Sequence, residues 1–210
     1  DCEKYFECQA PQKEMFKRRG VYAKAQKTMS KIKHKILVLG GKGGVGKSMA
    51  AVSIAFALAM KGRKVTVLDQ NFDCPAVPIM LGMQGKRLGV KEDGMLLPAV
   101  GPYGIQAVST GLVLGEDDVL IWFHELKRNA TEEFLGYVDY GERDYLIADI
   151  PAGTSSETVN IIKLIPDIDG SIVLTVPSEV SQNVAKRAVL ISQKAGICLL
   201  YTSPSPRDRG

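Results

Sequence analysis

The stretch from Lys35 to Met60 limits the possible folds of this chain more than any other. Residues 35 to 39 (KILVL) form a short continuous apolar run that passes straight into a glycine cluster and then into a helical pattern reaching Met60. Such a run predicts a strand buried on both faces, and strands of that kind belong to parallel sheets covered by helices on each side. Between strand and helix lies Gly41-Lys42-Gly43-Gly44-Val45-Gly46-Lys47-Ser48, which satisfies the G-x4-G-K-[ST] pattern in the context that gives the pattern physical meaning. The glycines let successive N–H groups curl around phosphate oxygens, and the helix N-terminus adds a favourable dipole. Lys47 is expected to reach the β and γ phosphates of a nucleotide, and Ser48 to offer its hydroxyl to Mg2+.

The alternation continues along the chain. Buried strands are predicted at 64–68 (KVTVL), 104–108, 145–148 (YLIA) and 171–176 (SIVLTV), with helices at about 122–136, 155–165 and 179–195. This predicts a doubly wound α/β domain over residues 32–197, a mainly parallel sheet with helices on both faces and right-handed crossovers. Two carboxylates close strands at the edge where open α/β sheets bind ligands: Asp69 after KVTVL and Asp149 after YLIA. Asp149 is the candidate to hold Mg2+ through its water shell, and Pro151 to Thr154, with Gly153, the candidate turn that senses a γ-phosphate. An aspartate in this position can equally serve as a helix cap.

Composition narrows the classes. With 45% hydrophobic and 24% charged residues the chain is neither disordered nor collagen-like. Four cysteines are too few to staple 210 residues, so reduced thiols and a cytoplasmic location are the default expectation. No apolar run is long enough for a membrane span. The net charge of +4 is uneven, +6 over the first 35 residues and −2 over the rest. Nucleic acid is therefore not an expected partner of the body. His34 and His124 have no partner cluster in sequence and read as surface or interface residues.

The extra lysine, Lys42, makes KGGVGKS resemble the deviant Walker A loop of the MinD, ParA and nitrogenase iron protein superfamily. Over about residues 30 to 197 the chain resembles, more narrowly, the Mrp/ApbC family of iron–sulfur cluster carrier ATPases. The matching text is LDQNFDCPAVPIMLG, EDDVLIW with Lys127 and EEFL, DYLIADIPAGTSSETV and GSIVLTVPSEVS. Nitrogenase iron proteins carry cluster cysteines in mid-chain, whereas none lies between Cys74 and Cys198 here. The resemblance implies an ATP-dependent homodimer that binds Mg2+ and loads or transfers a [4Fe-4S] cluster to apo iron–sulfur proteins. It implies nucleotide contacts from Gly41, Lys42, Gly43, Gly44, Val45, Gly46, Lys47, Ser48, Met49 and Gly153. Lys42 is then expected to reach the partner's nucleotide, with Lys47, Asp69, Asn71 and Asp149 carrying hydrolysis.

The resemblance also gives meaning to the ends. Cys2 and Cys8 have the spacing of the last two cysteines in the family's C-x2-C-x5-C cluster motif, so residues 1–31 are expected to form a basic arm carrying cluster thiolates. Residues 198–208 (CLLYTSPSPRD) resemble one reading frame of a transposase adapter from sequencing libraries. A non-native tail is accordingly expected over 198–210, detached from the core, with the sixth and later strands missing. The family usually has Asp-x-Asp after the second strand, but Asp69-Gln70-Asn71 stands here, with Cys74 in place of a glycine and Ser155-Ser156 in place of Gly-Asp. An amide orients water but cannot take its proton, so slow hydrolysis is expected. The alternatives are a MinD/ParA-like positioning ATPase and a nucleotide-binding regulator with impaired hydrolysis.

Overall fold

The structure, a computed structural model, describes residues 20–113, 124–153 and 155–203. Cys2, Cys8, the Lys17 to Arg19 run, the EDDVLIW text, Thr154 and the side chains of His124 and Ser156 lie outside the described residues. In chain order the elements are α1 (Val21–Thr28), β1 (Ile32–Gly40), α2 (Lys47–Met60), β2 (Val65–Asp69), α3 (Val77–Met80) and β3 (Gly89–Val90). Then come β4 (Leu96–Leu97), β5 (Ala99–Val100), β6 (Gln106–Val108), α4 (His124–Gly136) and β7 (Arg143–Asp149). The last are α5 (Ser156–Leu164), β8 (Gly170–Leu174), α6 (Glu179–Lys194) and β9 (Cys198–Ser203).

Seven strands form one sheet in the order β5-β6-β2-β7-β1-β8-β9. Its pairings are parallel apart from the β5–β6 edge, and β3 and β4 make a separate antiparallel hairpin. Period-two alternation explains why the central strands read as unbroken apolar runs. Leu37 and Leu39 face a core shared with Phe134, Ile161 and Ala185, whereas Val38 faces a second core with Ala51, Val52 and Ala55 of α2. The expected doubly wound α/β architecture is the observed one, and it brings the C-terminal ends of β2, β7 and β1 side by side.

Two expectations about the ends need correction. Residues 198–203 are not detached: β9 pairs in parallel with β8, from Gly170↔Cys198 to Leu174↔Ser203. The register slips between Ser171 and Ile172, so Leu200 is the extra residue of a bulge, and it packs over the bare Cα of Gly170. The apolar, β-compatible text CLLYTS is sufficient to pair with the open edge that β8 presents. Nor does the body begin at residue 32. Within the segment read as an arm, α1 buries Ala25, with Met29 beyond its end, against the Phe134 and Leu135 side of α4, and the Thr28 hydroxyl donates to the Leu135 carbonyl at 2.6 Å. Among the described residues no helix is long and apolar enough to cross a membrane.

Candidate phosphate and metal site

The loop after β1 is held so tightly that side chains larger than hydrogen are excluded from its start. A Cβ on Gly41 would lie 2.6 Å from the Ala185 nitrogen and the Val184 carbonyl carbon of α6. One on Gly40 would lie 2.9 Å from Val45 Cγ2 and 3.1 Å from the Leu174 carbonyl oxygen. At the other end Gly46 caps α2 in the left-handed region, φ 90°, with no side-chain acceptor on the first N–H groups. The first turn of α2 carries no acid either, so its N-terminus stays available to an anion. Lys42, Gly43 and Gly44 are exposed, as is Met49, whereas Lys47 is 8% exposed. Burial pushes the Lys47 ammonium below its ordinary pKa, and the charge of Asp149 opposes that shift.

Asp149 ends β7 at 1% exposure. Neither of its carboxylate oxygens has a hydrogen-bond partner among the described residues. Burial raises its pKa, while the nearby Ser48 hydroxyl and the Lys47 charge act in the opposite direction. A buried carboxylate without donors is costly, and the usual resolution is a cation or a proton. Oxygen donors from one carboxylate and one hydroxyl suit Mg2+, which retains several waters and takes few protein ligands. Asp149 and Ser48 therefore fit that ion.

Asp69 sits next to Asp149 in register, also 1% exposed, but its oxygens are occupied. Oδ1 accepts from the Asn71 N–H at 3.0 Å, and Oδ2 accepts from the Ser109 hydroxyl at 3.0 Å and the Val77 N–H at 3.4 Å. Burial and the neighbouring Asp149 charge raise its pKa to about 7 against the pull of those three donors. Nothing in the sequence marks Ser109: it lies beyond β6, 40 residues from its partner, and only sheet order brings the two together. Asn71 is half-buried and turns back on Asp69 through its own N–H.

The turn after β7 is tied to the loop after β1. The Ile150 N–H donates to the Val38 carbonyl at 3.1 Å and the Gly153 N–H to the Gly40 carbonyl at 3.0 Å. Gly153 has φ 88°, a value that favours glycine, and its carbonyl accepts from the Thr158 hydroxyl at 3.3 Å. The structure thus brings Lys47, Ser48, Asp69, Asn71, Asp149 and Gly153 to one edge of the sheet. Cys74 and Cys198, the described cysteines, are exposed thiols, and no group of three or more His, Cys, Asp or Glu residues converges on a metal-sized site among the described residues. His34 is exposed and lies 3.3 Å from Asp169 Oδ1.

A strand-loop-helix phosphate cradle on a doubly wound sheet, with a carboxylate at the adjacent strand end, defines a P-loop NTPase. Residues 31–201 match the family model described as ParA: NUBPL iron-transfer P-loop NTPase, and the chain belongs to that family. It is 44% identical over 167 residues to an iron-sulfur cluster carrier protein of Saccharolobus solfataricus, covering 79% of this chain and 56% of that protein. A cytosolic Fe-S cluster assembly factor NUBP2 homolog of Culex quinquefasciatus is 36% identical over 82% of this chain and 68% of its own length. Among solved structures, a nucleotide-binding protein of Archaeoglobus fulgidus in complex with ADP superposes with a TM-score of 0.75 at 28% identity, covering 88% of this chain and 71% of that one. The cell division ATPase MinD of Pyrococcus furiosus, at 19% identity and a TM-score of 0.61 over 81% of this chain and 71% of its own, shares the fold. The chain spans little more than half the length of the Saccharolobus relative.

Proposed function

We propose that this chain is the nucleotide-driven core of an iron–sulfur cluster carrier, binding ATP with Mg2+ and using its hydrolysis to load or hand on a [4Fe-4S] cluster. The observation that carries the nucleotide half is the unpartnered, buried Asp149 carboxylate beside Lys47 and Ser48. The carrier half rests on the iron-transfer family and on relatives named for cluster carriage.

In this reading the N–H groups of residues 41 to 48, with Met49 and Gly153 flanking them, bind the phosphates. Lys47 balances charge on the β and γ phosphates. Ser48 and Asp149 hold Mg2+, which on binding neutralises charge on the phosphate oxygens. Asn71 orients the water whose oxygen bonds to the γ-phosphorus as the bond to the bridging oxygen breaks, ADP leaving and the water proton passing to phosphate or solvent. An amide cannot take that proton, so turnover is slow. Asp69 keeps the Asn71 turn in place through its three donors. Exposed Lys42 is free to reach the nucleotide of a second copy in a homodimer. Cys2 and Cys8 are among the four thiolates a [4Fe-4S] cluster takes, from one chain or shared between two, and apo iron–sulfur proteins in the cytoplasm receive it.

The test is anaerobic reconstitution of the chain with ferrous iron and sulfide, followed by transfer to an apo-ferredoxin with and without ATP. A cluster that is lost in Cys2→Ser and Cys8→Ser, and whose transfer rate changes with ATP, supports the reading. A chain that binds ATP but no cluster overturns the carrier half.

A further inference from the structure

One face of α4 grips the segment that follows β2. Lys127, Thr131 and Phe134 stand at i, i+4 and i+7 of that helix, a spacing that aligns them in a single stripe. Lys127 Nζ lies 2.7 Å from Asp73 Oδ2 and 3.5 Å from Glu157 Oε1, at 14% side-chain exposure. The Thr131 hydroxyl donates to Gln70 Oε1 at 3.1 Å in a buried bond. The Phe134 ring meets Phe72 edge-on, with centroids 6.0 Å apart. Residues 70, 72 and 73 thus dock on α4 while Asn71, between them, turns back on Asp69.

Gln70 is the unusual member. It is fully buried, its N–H donates to the Asp149 carbonyl at 3.0 Å, and its Nε2 has no partner among the described residues. A buried amide left half paired is destabilising, and an apolar side chain would avoid that. What the amide supplies and an apolar group would not is the bond to Thr131. Through Glu157 the same stripe also reaches the first turn of α5, beyond the turn that contains Gly153.

We infer that this stripe sets where the segment from Asp69 to Asp73 stands relative to a bound nucleotide, making Lys127 and Thr131 positioning residues for γ-phosphate cleavage that act through Gln70 and Asp73. The inference rests on the nucleotide reading above and deepens it. Misplacing a reacting group by about 1 Å costs on the order of 100-fold in rate, so loosening the grip is expected to lower kcat while leaving phosphate binding by residues 41 to 48 in place.

Steady-state ATP hydrolysis and ADP affinity are to be measured on the full chain and on Lys127→Met, Thr131→Val, Lys127→Arg and Thr131→Ser. The expected result is a kcat lowered about ten- to a hundredfold in the first two, with KM and ADP affinity within about threefold, and recovery in the conservative pair. The Lys127→Met/Thr131→Val double variant is expected to lose less than the product of the single losses, because both act through one segment. Thr131→Val preserves side-chain shape and carries the test alone if Lys127→Met fails to fold. Unchanged kcat in both, a kcat loss matched by equal loss of ADP affinity, or no turnover in either the native or the Asn71→Asp background overturns the inference. Failure of the native chain to bind ADP or ATP overturns the nucleotide reading itself, and this inference with it.

Discussion

The ends of β2 and β7 lie side by side, and each closes on an aspartate 1% exposed, yet the two carboxylates are treated in opposite ways. Asp69 is surrounded by donors from Asn71, Val77 and Ser109. Asp149 has no hydrogen-bond partner among the described residues and faces Lys47 and Ser48. Burial alone does not mark a ligand site, since both aspartates share it. What separates them is whether the protein itself satisfies the buried oxygens: at the end of β2 it does, and the carboxylate holds a turn; at the end of β7 it does not, and in the function proposed above a cation takes that place.

Four substitutions break or sharpen that contrast. The largest effect is expected next to the β2 end: if Asn71 stands where a proton acceptor would act, Asn71→Asp raises the rate of phosphate release by about 10²- to 10⁴-fold, and an unchanged rate assigns the residue to orienting water alone. Asp149→Asn is expected to lower Mg-dependent hydrolysis by more than about 100-fold, since outer-shell partners of metal ligands are alone worth about 10- to 100-fold. In the nucleotide-free protein the same change removes both a buried carboxylate charge and the charge that faces the buried Lys47 ammonium, two effects of opposite sign on stability to urea. Asp69→Ala should cost about 2–4 kcal/mol in urea unfolding as three donors lose their acceptor, and should lower hydrolysis by freeing the Asn71 turn.

The smallest effect lies at the opposite end of β7. Asp144 is a satisfied carboxylate on the surface, accepting from Lys33 Nζ at 2.7 Å and the Lys64 N–H at 2.9 Å. The Lys33 hydrogen bond, then that from Lys64, pull its pKa down to about 2. A carboxyl depressed on folding contributes stability above its unfolded pKa of about 4 and loses it as pH falls through about 2. Asp144→Asn should therefore lower the melting temperature slightly at pH 7, and the difference should vanish near pH 2. A difference independent of pH would show that its charge plays no part.

The parts of this chain that were legible in the sequence are those fixed by local chemistry. The glycine loop, the strands flanking it and both strand-end aspartates follow from KILVL-GGKGGVGKS, KVTVLD and YLIAD, where a period-two core and a helix N-terminus leave little choice. The helix α1 was not legible, because its polar text QKT and two lysines read as an arm until α4 offers Ala25 a place to pack. Pairing by β9 is not legible in CLLYTS alone, because an open sheet edge accepts any compatible strand and that edge exists only in the folded molecule. The difference between Asp69 and Asp149 was equally hidden, since it turns on Ser109, which only the sheet order brings near. The stripe on α4 has a visible helical period, but its partners at Gln70, Phe72 and Asp73 lie more than fifty residues away.

The contrast between the two strand ends is tested most directly by electron paramagnetic resonance of Mn2+, substituted for Mg2+, in the presence of ADP with the native chain, Asp149→Asn and Asp69→Asn. Nucleotide-dependent Mn2+ binding should be present in the native chain, retained in Asp69→Asn, whose amide oxygen can still accept from its neighbours, and lost in Asp149→Asn. Retention in Asp149→Asn with loss in Asp69→Asn, or equal loss in both, would contradict the assignment of the metal to the end of β7.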